Sequence, residues 1–340
     1  MLDAMRGFAA VIVLFFHISV LRHGPAIFDR VYLAVDLFYI ISGFVLAAVF
    51  ESGVGATAAA RSLILNRIGR LWPMMACGSA FGLCWMMMRD GTVPPLALLV
   101  TGLLFVPVTT GVGEIFPLNG PQWSLLSELL ANIVHALVLR RLPTTALIAI
   151  ASTGWMLEVL ISAVQETLNV GHQGTTCFLG LSRVLFGYTA GVILARTRDL
   201  WQSRAAVPAG WIAAPLLLVA CLLVPTLCAW PAGKTDAYVV LLFVPIVAIA
   251  SSSDVPPLLR PGSTWLGKIS YPLYAVHYPV LSMAALIEAR VPATFDLALW
   301  IASVLVVVAL ADVFSRTPLA RGIRPTGAPR RTRGFAPAPR

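Results

Sequence analysis

The chain has 340 residues, 59% hydrophobic and 11% charged, with a mean hydropathy of +0.86 and a formal net charge of +9. Soluble domains carry roughly 25% charged residues, so this composition identifies an integral membrane protein. It excludes disordered, collagenous and disulfide-scaffold classes; an outer-membrane barrel is excluded too, because the apolar residues form long runs instead of alternating stretches of about ten.

Apolar stretches follow one another at 5–21, 31–50, 71–88, 125–139, 146–164, 177–195, 206–230, 238–250, 269–287 and 297–314. Each approaches the ~20 residues needed to cross ~30 Å of hydrocarbon, although 125–139 and 238–250 are short. The expected fold is therefore all-α: a polytopic bundle of about ten transmembrane helices. The first stretch has no cleavage pattern and is expected to be a retained span. An eleventh stretch, 96–108, is 13 residues long with Pro107 near its end.

The basic residues orient the bundle. Of 24, 22 are Arg, and most lie between apolar runs or near the C-terminus, which matches the positive-inside bias better than a nucleic-acid surface. With the N-terminus inside and ten crossings, eighteen basic residues fall inside and five (Arg22, Arg30, Arg89, Lys234, Arg290) outside, while Arg183 stays in the membrane. A crossing 96–108 would turn the arginine-rich end outward, so this stretch is expected to be re-entrant or to lie on the outer surface. Both termini are expected in the cytoplasm, in a bacterial inner membrane. The membrane domain is placed at 1–315, and 316–340 is expected to be a disordered basic tail rich in Pro and Gly.

Five cysteines (Cys77, Cys84, Cys177, Cys221, Cys228) form no CxxC pair and mostly sit inside apolar runs, so they read as small buried hydrophobes. Cys177 has only His172 nearby, and no metal site is expected.

Ionisable groups inside spans cost about 2.5–3.5 kcal/mol on insertion scales and call for a reason. In the first span Arg6 and His17 are eleven residues apart, on nearly one helix face and ~16 Å apart in depth. Taken singly, Arg6 reads as a snorkelling, topology-setting charge and His17 as a hydrogen-bonded packing residue. Asp36 enters the second span and should pair with His17 or an outer Arg, unless it is solvated at the surface. Ser42 and Gly43 would admit a close helix neighbour. Arg67 and Arg70 share a face at the cytoplasmic entry of the third span, where two guanidiniums can grip phosphates or merely anchor the helix beside Trp72. Glu128 lies just inside the fourth crossing, with His135 seven residues along; Ser124 ahead of it resembles a helix cap. Arg183 lies well inside its span and should pair with an acid.

The order and spacing of these groups resemble acyltransferase family 3, membrane enzymes that add acyl groups to sugars and other surface or secreted molecules. The resemblance rests on Leu2-Asp3-Ala4-Met5-Arg6-Gly7 with His17, an Arg-x10-His pattern, and on Val35-Asp36-Leu37-Phe38 with Ile41-Ser42-Gly43-Phe44. It continues through Arg67 to Pro73, Trp123-Ser124-Leu125 with Glu128, Arg183 ahead of Gly187 and Gly191, and Gly267-Lys268-Ile269-Ser270-Tyr271 running to His277. Two departures stand out: Asn66 occupies a position often held by a further arginine, and Arg316-Thr317-Pro318 replaces a Glu-x-Pro at the end of the last span.

The resemblance implies acyl transfer, by default of acetyl, from a cytosolic acyl-CoA to a hydroxyl of a carbohydrate or related acceptor. Acyl-CoA would serve as donor substrate, with no permanently bound cofactor. His17 would act as base or nucleophile, Asp36 or Glu128 as its orienting partner, and Arg6, Arg67 and Arg70 as ligands of the CoA phosphates. A transporter or flippase of a lipid-linked sugar is the alternative class, and an inactive sensor a third; the chain shows no internal repeat or paired broken helices to favour transport.

Overall fold

A chain this apolar has little polar surface with which to break its runs, so helices whose backbone bonds are satisfied internally are the natural outcome in lipid. The computed structural model describes residues 1–51, 56–109 and 111–317; among them the regular elements are helices, joined by one isolated antiparallel bridge between Glu114 and Gln173. In chain order these are α1 (Leu2–Leu21), α2 (Ala34–Phe50), α3 (Ala56–Asp90), α4 (Leu96–Leu103), α5 (Gln122–Leu137), α6 (Thr144–Gln165), α7 (Gly180–Arg196), α8 (Arg198–Ala205), α9 (Gly210–Leu227), α10 (Ala232–Ser251), α11 (Arg260–Glu288) and α12 (Asp296–Arg316). Residues 318–340, on which most of the expected disordered tail falls, lie outside the described residues.

Eight of the segments are long and apolar enough to cross a membrane. The two other long helices, α7 and α11, are interrupted by polar groups of the interior: α7 holds Arg183, and α11 holds Ser270, Tyr271, Tyr274 and His277. In the most apolar stretch of the second segment 72% of the residues are buried, against 22% for the last, which separates a central helix from a peripheral one. Leu297, Ile301 and Leu305, four residues apart on α12, form an exposed apolar stripe suited to lipid. The structure lengthens some expected elements: α3 begins at Ala56, well before the apolar run at 71, because a helix need not stop where hydrophobicity stops.

Close backbone approach decides the packing. A Cβ on Gly43 would stand 2.1 Å from the Tyr188 carbonyl oxygen, and one on Gly191 2.1 Å from that of Ile40, so α2 and α7 meet almost backbone to backbone. Asp36 faces Arg183 at one end of this pair and Glu51 faces Arg196 at the other, so the two helices run parallel. Parallel too are α1 and α11, with Gly267 beside Asp3 and His277 beside His17.

These two pairs bear on α4. With the other long helices between the partners crossing the membrane, a crossing α4 would reverse α7 against α2 and α11 against α1. At eight residues, ~12 Å long, it is also too short to span. Its buried end is capped from below: the Trp72 indole N–H donates to Leu103 O at 2.8 Å, and Gln122 Nε2 donates to Gly102 O at 2.6 Å. Helix α4 thus fits a non-crossing element, as expected of a stretch that is re-entrant or lies on the outer surface. Residues 111–121 then zip onto the loop 166–179, through Ile115 N–H to His172 O at 2.9 Å and Gly174 N–H to Gly113 O at 3.0 Å.

Candidate active site

Helix α1 supplies two of the expected groups. Arg6 lines a small cavity with Glu128, Ser270 and Tyr271, at the end of the bundle where α3 brings Arg67 and Arg70. His17 lines a larger cavity of about 150 Å³ toward the opposite end, beside residues 114–121. Val35 and Tyr274 line both cavities, so they form the wall between them. Tyr274 is held there by its hydroxyl, 2.8 Å from Ser124 Oγ, and by an edge-on contact with Phe38 at 5.5 Å.

The hydrogen-bond network assigns the protons on His17. His277 Nδ1 lies 2.8 Å from the Tyr274 carbonyl oxygen, which can only accept, so Nδ1 of His277 carries the proton and its Nε2 the lone pair. That lone pair lies 3.1 Å from His17 Nδ1, which also lies 3.0 Å from the Val13 carbonyl oxygen. His17 Nδ1 therefore donates, and His17 Nε2 is left unprotonated. A neutral imidazole with a free Nε2 at a cavity wall can accept a proton or attack a carbonyl carbon.

Neither carboxylate expected beside His17 reaches it. Asp36 is fully buried and committed to Arg183, whose Nε and Nη2 donate to its two oxygens at 3.1 and 2.7 Å. Arg183 Nη2 also donates to Tyr32 O at 2.9 Å, and the guanidinium lies 5.4 Å from the Trp123 ring centroid. A buried guanidinium needs a counter-charge and Asp36 supplies it, so Asp36 is an ion-pair partner that positions Arg183 and not an orienting group on His17. Glu128 sits in the Arg6 cavity, where Oε1 accepts from Ser42 Oγ at 2.7 Å. His135, expected on the face of Glu128, instead places Nε2 3.3 Å from Glu51 Oε1. The partner of His17 is His277, in a motif the sequence displayed without marking that residue's role.

Arg6, Arg67 and Arg70 lie within electrostatic reach of one another and of Glu128, and none forms an ion pair among the described residues. Three guanidiniums with two carboxylates, Glu128 and Asp3, leave an excess of positive charge at this end, suited to a polyanionic ligand.

The cavity of His17 is closed from above by groups that sequence reasoning missed. Glu114 and His172 line it from the two zipped loops. Burial pushes the Glu114 carboxyl up to about 7. Burial, helped by the charge of Arg183, holds His172 below its usual range, so it is neutral at physiological pH. Loop residues carry no periodicity, and only contact across the two loops reveals them.

The family model described as an acyltransferase domain, that of acyltransferase family 3, matches residues 1–316. A Rhizobium radiobacter protein described as "Protein 2 in picA locus" is 35% identical over 159 residues, covering 40% of this chain and 80% of that protein. No solved structure matches the chain.

Proposed function

Because the chain belongs to this acyltransferase family, we propose that it moves an acyl group, acetyl by default, from a cytosolic acyl-CoA to a hydroxyl of a carbohydrate or related cell-surface or secreted acceptor. One observation carries the proposal. A single helix, α1, places a cationic group in one cavity and a proton-accepting imidazole in another, and the two cavities share a wall. Eleven residues of helix separate Arg6 from His17 by ~16 Å, a span that suits a donor whose phosphates stay at one mouth while its thioester reaches inward.

In this scheme Arg6, Arg67 and Arg70 hold the phosphates of CoA. The acceptor hydroxyl gives its proton to His17 Nε2 as its oxygen bonds to the thioester carbonyl carbon. The C–S bond breaks, and the CoA thiolate takes the proton back from His17, so ester and free CoA leave with no net charge change. Glu128 lies beside the arginines and tempers their charge. The scheme has the arginine-rich end on the cytoplasmic side of a bacterial inner membrane, a reading supported by the excess of arginine on that side and by a relative from a bacterium.

The test is thioester cleavage by the purified protein in nanodiscs, read as free CoA thiol released from acetyl-CoA with and without glycoside acceptors. Acceptor-dependent CoA release is expected, and His17→Gln should abolish it while leaving acetyl-CoA binding intact. A protein that carries glycans across vesicles without releasing CoA is a transporter. A folded His17→Gln variant with near-parental transfer removes His17 from the mechanism.

A further inference from the structure

Glu114 stands in the wall of the His17 cavity with no hydrogen bond or ion pair among the described residues. Its carboxylate lies over the Cα of Gly120, where an added Cβ would come within 1.9 Å of Oε2, so the absence of a side chain at 120 makes the room the carboxylate occupies. The backbone around it is well satisfied: Val108 N–H donates to Ile115 O at 2.9 Å, and the Ile115 and Gly174 amides tie the loop to 172–174. Nothing in the fold requires a carboxylate here. An unpaired, half-buried carboxylate at a cavity wall is a cost that a structural role does not repay.

The surroundings define what it could bind. Arg183 also lines the cavity, but its charge is matched by Asp36 and four of its five N–H groups go to Asp36, Tyr32 and Val170, so among the described residues the cavity has no uncompensated cation to favour an anion. Trp123 and Tyr278 contribute aromatic rings to the lining, while Glu114, Asn169 and His172 are polar residues from the two loops. A carboxylate accepts two hydrogen bonds from adjacent hydroxyls, an amide and an imidazole add mixed donors and acceptors, and aromatic rings cover C–H faces. That combination matches a ring bearing vicinal hydroxyls and does not match a lone alcohol, a phosphate or an acyl chain.

We propose that the two zipped loops over the His17 cavity form a binding site for a polyhydroxylated acceptor, in which Glu114 accepts hydrogen bonds from neighbouring hydroxyls of one sugar ring and so presents another hydroxyl to His17. This rests on the acyl-transfer scheme for its chemistry but not for its binding. Gly120 is a positioning residue, since it leaves the carboxylate its place. Arg6, Arg67 and Arg70 have no part in this site.

The test uses the full chain in detergent or nanodiscs with a panel of p-nitrophenyl glycosides, and with hexanol as a simple alcohol acceptor. Glycoside binding is read by saturation-transfer-difference NMR without donor, and acceptor KM by CoA release. Glu114→Ala should raise the glycoside KM by about 10- to 100-fold, as expected for loss of a charged hydrogen-bond acceptor, and should lose the NMR contact. Acetyl-CoA KM and transfer to hexanol should stay unchanged. Gly120→Ala keeps the charge, and the clash is with the movable end of a side chain; it should fold and raise glycoside KM several-fold by displacing the carboxylate. Equal glycoside contacts in parent and both variants overturn the site, as does an equal loss with hexanol. If the parent binds glycosides through Glu114 but never releases CoA, the site stands and the acyl-transfer scheme fails.

Discussion

The Asp36–Arg183 pair lends itself to a quantitative test of whether Asp36 is a structural counter-ion. Asp36→Leu keeps the volume roughly constant and strands the Arg183 guanidinium in the bundle. Breaking a buried pair from one side costs about 3–5 kcal/mol. Arg183 would retain its bond to Tyr32 O at 2.9 Å, a long one to Val170 O at 3.4 Å and the face of Trp123, so the lower end, about 3 kcal/mol, is expected. Adding Arg183→Met removes the stranded charge and leaves two carbonyls without a side-chain donor, at about 1 kcal/mol each. The double variant should therefore be less destabilised than Asp36→Leu alone, although it carries one more substitution. Unfolding of the detergent-solubilised protein against SDS mole fraction, followed by intrinsic fluorescence, reads all four corners of the cycle. An Asp36→Leu variant as stable as the parent would refute the reasoning, and so would additive losses in the double variant.

His277→Phe removes the lone pair that holds His17 Nδ1–H and should lower kcat about tenfold or more with acetyl-CoA KM unchanged, whereas a purely packing role predicts loss of folded protein in proportion to activity. Reversing Arg67 and Arg70 together to Glu should weaken acetyl-CoA binding strongly, and the double Lys variant less, since Lys keeps the charge but not the planar fork; calorimetric titration with acetyl-CoA distinguishes them. Burial raises Glu114 from 4.5 to about 7, so the folded state holds this proton more tightly than the unfolded chain. The associated stability is complete below pH 4.5 and is lost as pH rises through 7, amounting to about 3 kcal/mol over that window. Thermal unfolding between pH 4.5 and 8 should show this slope in the parent and lose it in Glu114→Gln; parallel profiles would mean that the carboxyl is solvated.

The membrane class, the order of the apolar segments and the asymmetry of the arginines were legible in the sequence alone. Transfer into lipid is a property of one segment at a time, so it can be summed along the chain. The need for an acid beside Arg183 was legible for the same reason: a buried charge demands a partner whatever the fold. Which acid answers it was not, because Asp36 lies 147 positions away and its choice between Arg183 and His17 depends on α2 and α7 closing at Gly43 and Gly191. His17 and His277 are 260 positions apart, and only the parallel packing of α1 against α11 joins the expected base His17 to His277, a residue given no role from sequence, as a proton-accepting pair. The short stretch at 96–103 illustrates the limit most clearly. Its composition permits a crossing, a re-entrant turn or a surface helix, and what argues against the crossing is the direction of the helices on either side, a geometric relation between distant segments that hydrophobicity does not encode. Glu114 and His172 belong to the same category: each is one polar residue in an irregular loop, and they acquire a common cavity only because the tertiary structure zips the two loops together above His17.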